Sequence, residues 1–138
     1  MFNIRKHALM FAAVIALAFF GTTTAQADCS YRAIAADSGT HATGVGCGST
    51  MERARKNAIK DCQDNGGGSC GKTTAEGGSW CFVARVCSAR GVEIDVYTAA
   101  SSQWAKEADV MLMSKAERDV AAGVRFTCEF LARTGVCR

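Results

Sequence analysis

Short apolar segments separated by turn residues open the part of the chain beyond residue 28. Residues 29–37 (CSYRAIAAD) and 43–48 (TGVGCG) have the composition of strands, and the turn-forming residues SGTHA join them. This arrangement predicts a β-hairpin. Glycines 44, 46 and 48 alternate with larger residues in the second segment. Because glycine weakens a strand, their spacing predicts the close approach of another backbone.

A helical period follows the predicted hairpin. Four apolar positions recur at intervals of three or four residues and define one buried stripe: Met51, Ala54, Ala58 and Cys62. Ser49 and Glu52 have the S-x-x-E spacing of a capping box. Asn65 and the glycines after it are typical of a helix end. Three basic residues share a second, solvated face of this helix: Arg53, Lys56 and Lys60.

The second half of the chain repeats the change from strand to helix. Residues 79–86 (SWCFVARV) and 91–99 (GVEIDVYTA) are rich in β-forming residues, so they predict two more strands. Helical spacing begins after residue 101 and includes Trp104, Ala108, Met111, Leu112, Val120, Val124, Cys128 and Leu131. Ser114 and Glu117 form a second S-x-x-E capping box. We therefore expect helical structure as far as Gly135, with the tryptophan and the methionines in the core.

The two halves share a motif. S-T-M-E-R at 49–53 precedes Cys62 and Cys70, and S-K-A-E-R at 114–118 precedes Cys128 and Cys137. The similar spacing predicts a degenerate repeat of a strand–strand–helix unit over residues 31–74 and 82–138. The whole pattern predicts an α+β fold in which short antiparallel β-hairpins pack with two or three helices.

The first 27 residues have the pattern of a secretory signal peptide. Arg5, Lys6 and His7 precede an apolar run of thirteen residues, and residues 25–27 form an A-x-A cleavage site. The run is shorter than the about 20 residues that cross a membrane. We therefore expect a single domain over residues 28–138, periplasmic or secreted, with no membrane span in the mature chain.

Eight cysteines lie in the predicted mature part: Cys29, Cys47, Cys62, Cys70, Cys81, Cys87, Cys128 and Cys137. An even, dense set in a small exported domain predicts disulfide bonds. No pair has the Cys-x2-Cys spacing of a zinc site, and His41 is the single histidine of the mature part. We therefore expect neither a metal nor another cofactor.

Spacing also restricts the disulfide pairing. Within one strand, Cys81 and Cys87 would lie about 20 Å apart at about 3.3 Å per residue. A disulfide requires Cα atoms less than about 7 Å apart. These two cysteines should therefore bond to other partners unless the strand ends before Cys87. The local bridges that we expect are Cys62–Cys70 and Cys128–Cys137.

Several of these segments together resemble a known family. They are the A-x-A strand at 33–36, the glycine-rich strand at 44–48, the capped helix with A-x-x-x-C at 58–62, Cys70, and the strand at 81–86. In this combination the chain, over about residues 31–86, resembles a family of small secreted bacterial domains of unknown function, the one numbered 4189. The resemblance implies an exported α+β domain with structural disulfides. It implies no catalytic residue and no substrate.

A nucleotide-binding pattern occurs at residues 66–73 (GGGSCGKT), which match the G-x-x-x-x-G-K-T of a P-loop. A P-loop requires a strand before its glycines and a helix after its lysine, because the helix N-terminus binds the phosphate. Here the glycines follow a predicted helix. The letters after the lysine and threonine, TAEGGSW, have no helical period. We therefore expect no nucleotide.

Charge argues against other polyanionic partners. Without Arg5 and Lys6, 14 basic residues face 13 acidic ones, so the net charge falls from +3 to +1. Such a balance gives no electrostatic reason to expect nucleic acid or anionic lipid as a partner.

Catalytic groups are few in this sequence. His41 lies among turn residues, the even cysteine count leaves no obvious free thiol, and no G-x-S-x-G elbow occurs. A glycosidase needs only two carboxylates, and the candidates are Glu76, Glu93, Asp95 and Glu107. We expect a non-enzymatic domain that binds a protein or an envelope component, and inhibition of a bound enzyme would be one form of this function. The candidate binding face is formed by Arg53, Lys56 and Lys60. A small carboxylate-dependent hydrolase or toxin is the alternative.

Overall fold

The computed structural model describes residues 29–138, so the predicted signal peptide lies outside the described residues. The elements in chain order are β1 (Tyr31–Ala36), β2 (Thr43–Gly48), α1 (Met51–Asp64), β3 (Lys72–Gly77), β4 (Cys81–Ala89), β5 (Val92–Ser101), α2 (Ala105–Arg118) and β6 (Thr127–Gly135). They form two antiparallel sheets with strand orders β2-β1-β3 and β5-β4-β6. The predicted disulfide-stapled α+β class is confirmed.

The elements stack in four layers, helix–sheet–sheet–helix. Alternate residues of a strand point to opposite faces of its sheet. In β1, Ala33 and Ala35 pack against α1, whereas Ile34 and Ala36 pack against the second sheet. The β4 strand follows the same rule, because Phe82 joins the contact between the sheets and the residues beside it face α2. Each half of the chain therefore contributes one sheet to a shared centre and one helix to an outer surface.

The glycines of β2 allow α1 to lie directly on the first sheet. A Cβ added to Gly44 or Gly46 would come within 3.0 Å of the α1 backbone, at Ala58 for both glycines and also at Ala54 for Gly46. No side chain can occupy that space without moving the helix. The predicted close approach of another backbone is confirmed.

The α1 helix begins one residue later than its predicted capping box. Thr50 is the N-cap, and its Oγ1 accepts a hydrogen bond from the Arg53 amide at 3.1 Å. Ser49 Oγ accepts a bond from the Arg53 guanidinium, and Glu52 forms an ion pair with Lys56 at 3.2 Å. The capping box of Ser49 and Glu52 is therefore wrong, because the adjacent threonine caps equally well.

The second capping box is also wrong. Ser114 and Glu117 lie in the last two turns of α2, and Ser114 Oγ donates to the Val110 carbonyl at 2.9 Å. The chain after this helix does not stay helical, since Thr127–Gly135 is strand β6. Backbone pairing with β4 on one side of that segment overrides its local helical spacing.

The buried face of α2 differs from the predicted one. Ala108 and Leu112 are fully buried, as expected, and Ala116 completes their stripe. Trp104 and Met111, however, are 50% and 48% exposed. Small residues let the helix lie close to the second sheet, so the larger side chains remain at the surface.

All eight cysteines form disulfides, in the pairs Cys29–Cys47, Cys62–Cys70, Cys81–Cys137 and Cys87–Cys128. The Cys62–Cys70 bridge and the separate partners of Cys81 and Cys87 are confirmed. The predicted Cys128–Cys137 bridge is wrong. Because β6 runs antiparallel to β4, Cys128 lies opposite Cys87 with 4.0 Å between their Cα atoms.

Both halves have the order strand–strand–helix–strand, and in both sheets the first strand lies in the middle. The similar sequence motifs do not occupy equivalent places in these units. S-T-M-E-R spans the start of α1, whereas S-K-A-E-R lies at the end of α2. The disulfides also differ, because Cys62–Cys70 closes a helix end and both bridges of the second half reach β4.

Candidate functional site

The predicted binding face lies on the outer surface of α1. Arg53, Lys56 and Lys60 are exposed there. Arg53 donates to Ser49, just before the helix, and Lys56 pairs with Glu52 on the helix, so two of the three cations already have local partners. None of the ion pairs found among residues 29–138 includes Lys60. This face is solvated.

A polar cluster joins the two sheets on another side of the molecule. Ser38 Oγ donates to Asp95 Oδ1 at 2.7 Å, and Lys72 Nζ pairs with Asp95 Oδ2 at 2.8 Å. His41 pairs with Glu93 through Nε2. Burial alone would raise the pKa of Asp95, but the hydrogen bonds from Lys72, Ser38 and the backbone hold it below its usual value. The cluster ties the β1–β2 turn and the start of β3 to β5.

Asp37 organises the turn from which His41 extends. Its carboxylate accepts bonds from the Thr40 amide and hydroxyl, both at 2.9 Å, and from the Cys70 amide at 3.0 Å. These bonds, that of Cys70 first, hold the pKa of Asp37 far below its usual range. Asp37 thereby connects the turn to the Cys62–Cys70 bridge, and His41 adopts a left-handed φ of 60°.

A groove lies where β3, β5 and the end of α2 meet, which we call the seam groove. Its volume is about 350 Å³, and it is lined by Gly71, Lys72, Thr73, Val96, Tyr97, Thr98, Lys115, Arg118 and Asp119. Lys72, Lys115 and Arg118 bring three cations to its walls; Asp119 supplies one carboxylate there, and Lys72 is already paired with Asp95. Tyr97 donates to that carboxylate at 2.7 Å. The groove therefore combines an excess of positive charge with hydroxyl and backbone groups.

The pKa values of two groove residues are shifted. Burial and the hydrogen bond to Asp119 raise the pKa of Tyr97 well above its usual value. Burial, and then repulsion from Arg118, lower the pKa of Lys115. Lys115 Nζ donates to the Thr98 carbonyl at 2.6 Å. No ion pair among the described residues contains Lys115 or Arg118.

The P-loop letters occupy a connection from helix to strand. The Gly67 amide donates to the Cys62 carbonyl at 2.9 Å, which closes the end of α1, and Cys70 is held in its disulfide. Lys72 begins β3 and precedes no helix. The geometry of a P-loop is therefore missing from residues 66–73. Lys72 and Thr73 nevertheless line the seam groove.

The four candidate carboxylates are dispersed. Glu93 and Asp95 lie two residues apart on β5 and face the β1–β2 turn. Glu107 accepts a bond from Ser101 at 2.9 Å. Glu76 lies near the far end of β3, four residues and about 13 Å of strand from Lys72. Among residues 29–138 no group of three or more His, Cys, Asp or Glu side chains is arranged to hold a metal ion.

Sequence reasoning missed most of the seam groove. Lys115 and Arg118 lie in the last turn of α2, where basic residues are common because they complement the helix dipole. In the sequence, Tyr97 is not distinguishable from the other apolar residues of its strand. The groove forms only because the two sheets pack together and bring β3 beside β5, and no local pattern specifies that contact.

Neither helix of the described part is long and apolar enough to cross a membrane. No match was found by a scan against protein-family models, by a search of curated proteins or by a search of solved structures. The resemblance to the family numbered 4189 therefore stays a prediction. What the structure shows is a four-layer α+β domain with four disulfides and a cationic groove at the seam of its sheets.

Proposed function

We propose that this chain is a non-enzymatic binding domain that acts outside the cytoplasm and recognises an anionic group of a protein or an envelope component. The seam groove is the site. One observation supports this choice above all: Lys115 and Arg118 line the groove together, and the repulsion between these two cations is not relieved by an ion pair with either of them in the described residues.

An anion in the groove relieves that repulsion. Lys115 and Arg118 are exposed, but both line the same groove, so an anion bound there is attracted by two cations at once. Thr73 and Tyr97 place hydroxyl groups on the same walls. For a single small anion we expect a dissociation constant of about 1 mM, which corresponds to a binding free energy of about −4 kcal/mol. A larger partner adds contacts outside the groove.

The α1 face is the rival surface. Its cations are exposed, and Arg53 and Lys56 already have partners in Ser49 and Glu52. The groove is a concave surface with two cations that have no ion-pair partner, which favours it over the helical face formed by Arg53, Lys56 and Lys60.

The proposed compartment agrees with the covalent structure. Four disulfides are compatible with an oxidising, extracytoplasmic location. We further propose export by the predicted signal peptide and membership of the family numbered 4189, to which the sequence is similar.

An NMR titration tests the groove directly. The oxidised ¹⁵N-labelled chain is titrated with inorganic phosphate and, separately, with acetate at constant ionic strength, and amide shifts are followed. We expect saturable shifts at Thr73, Thr98 and Lys115, weakened at least about threefold in Arg118→Gln. Lys60→Gln on α1 removes the same charge and should bind like the parent chain.

Two results decide against the groove. Shifts that grow without saturation over the whole surface would mean that the anions only screen charge. A loss of binding in Lys60→Gln but not in Arg118→Gln would place the site on α1. A stronger response to phosphate than to acetate would identify phosphate as the preferred anion class.

The carboxylate-dependent hydrolase remains the alternative, and one observation indicates where its catalytic carboxylates would lie. Glu93 and Asp95 face the same turn, with His41 beside Glu93. Both carboxylates are already paired, Asp95 with Lys72 and Ser38. If the oxidised chain cleaves peptidoglycan and Glu93→Gln stops the cleavage, the hydrolase replaces the binding domain as the preferred function.

A further inference from the structure

We propose that α2 mediates self-association, in which a second copy of this chain packs antiparallel against it across a two-fold axis. The contact is a row of four exposed residues, the α2 stripe: Lys106, Val110, Met113 and Glu117. This proposal is independent of the anion site, because the stripe shares no residue with the seam groove.

The spacing of the stripe is that of a helix–helix seam. Its members follow one another at intervals of four, three and four residues, as the core positions of a coiled coil do. The buried side of α2 is formed by Ala108, Leu112 and Ala116, so the stripe faces away from its own sheet. Val110 is 57% and Met113 42% exposed. Solvated helix faces normally present polar residues at such positions.

The charges of the stripe indicate its occupant. Read along the helix, they run positive, apolar, apolar, negative. When two identical stripes meet antiparallel, Lys106 faces Glu117 of the partner subunit, and Val110 faces Met113 of the partner subunit. Both ends of the contact are then ion pairs, and the two-fold axis repeats each pairing. A parallel arrangement would instead place like charges together. None of the ion pairs found within residues 29–138 uses Lys106 or Glu117.

The surface beside the stripe has room for the partner. A depression of about 380 Å³ is lined by Val110, Met113, Ser114, Glu117 and Phe126. Met113 of the partner subunit fits there as a knob enters a hole, and methionine adapts easily to such a gap. A helix of 14 residues is only about 21 Å long, so the interface is small. Small interfaces give weak, concentration-dependent dimers.

Sedimentation velocity on the oxidised chain, from about 10 µM to about 1 mM, measures this association. We expect a monomer–dimer equilibrium within that range. Glu117→Lys and Lys106→Glu should each weaken it about 10- to 30-fold, because two attractive pairs become repulsive. Glu52→Lys on α1 makes the same charge change and should leave it unaltered.

Charge exchange separates this contact from general surface effects. The double variant Lys106→Glu/Glu117→Lys should dimerise like the parent chain. An equimolar mixture of the two single variants should form a mixed dimer, although neither variant associates with itself. The proposal is wrong if the parent chain is monomeric throughout, if the double variant stays weakened, or if Glu52→Lys weakens the dimer as much as Glu117→Lys.

Discussion

Arg85, in the central strand of the second sheet, forms a two-point ion pair with Asp109 of α2. Its Nε donates to Oδ1 at 2.7 Å and its Nη2 to Oδ2 at 3.1 Å, and the guanidinium lies 5.9 Å from the centre of the Phe130 ring. Both charged side chains are half-buried. The pair therefore fixes the helix to its sheet at a point where the rest of the contact is formed by small apolar residues.

Loss of this ion pair should lower stability measurably. Asp109→Ala leaves the charge of Arg85 without its carboxylate in a partly desolvated place, so we expect the free energy of unfolding to fall by about 2 kcal/mol. Urea denaturation followed by circular dichroism measures it. The exposed pair of Glu52 and Lys56 is the control, and Glu52→Ala should cost less than about 0.5 kcal/mol. Equal losses in the two variants would show that the buried geometry adds nothing.

Asp37 should make stability depend on acid. Its pKa is lowered in the folded chain, so its contribution is complete above the unfolded value of 3.8 and is lost as the pH falls through the folded value. We expect the urea concentration at the unfolding midpoint to decrease as the pH is lowered below about 4. Asp37→Asn should remove the part of this decrease that comes from protonation of Asp37. Asp64→Asn, at the exposed end of α1, should leave the acid dependence unchanged. An acid profile of Asp37→Asn that matches the parent chain would contradict this role.

Gly46 should not tolerate a side chain. A Cβ at this position would meet the α1 backbone, including the Ala54 carbonyl at 2.7 Å. Gly46→Ala should therefore lower the free energy of unfolding by about 3 kcal/mol, because the helix must move away from the sheet. Gly39→Ala is the matched control, since the nearest atom to its Cβ would be an Asp37 oxygen at 3.5 Å. Similar stabilities of the two variants would mean that α1 shifts at little cost.

The disulfides should differ in their effect on stability. Cys87 and Cys128 are separated by 41 residues, and Cys62 and Cys70 by 8. In the chain-entropy description, replacing the first pair by alanines costs about 4 kcal/mol and replacing the second about 2.5 kcal/mol. Chemical denaturation of the two double variants gives the order. Peptide mapping of the oxidised chain should find Cys81–Cys137 and Cys87–Cys128, and a Cys128–Cys137 peptide would contradict this topology.

Local pattern was sufficient for most of the first half of the fold, but no pattern in residues 72–77 predicted strand β3. The hairpin of β1 and β2, the helix α1 and the Cys62–Cys70 bridge each depend on residues close together in the chain, so turn residues, period and spacing predict them. The glycines of β2 even indicated the packing of α1, because only a close neighbour explains their alternation. The first capping residue was missed by one position, since Ser49 and Thr50 are both good caps.

Non-local pairing decided the second half. Residues 127–135 have helical spacing but become β6, because they pair along one edge with the neighbouring strand β4. The same register brings Cys128 opposite Cys87, so these two form a disulfide and the predicted local Cys128–Cys137 bridge does not form. The buried face of α2 likewise follows from how closely that helix packs on its sheet.

The sequence by itself therefore determined the α+β class, the full use of the cysteines, and the hairpin, helix and local disulfide of the first half, because these depend on composition and on neighbours within a few residues. The tertiary structure alone decided the four layers and the seam groove, where Lys72 of β3 meets Lys115 and Arg118 of α2. A groove between elements that are more than forty residues apart in the chain exists only after the sheets have packed, and no periodicity within one segment encodes that contact.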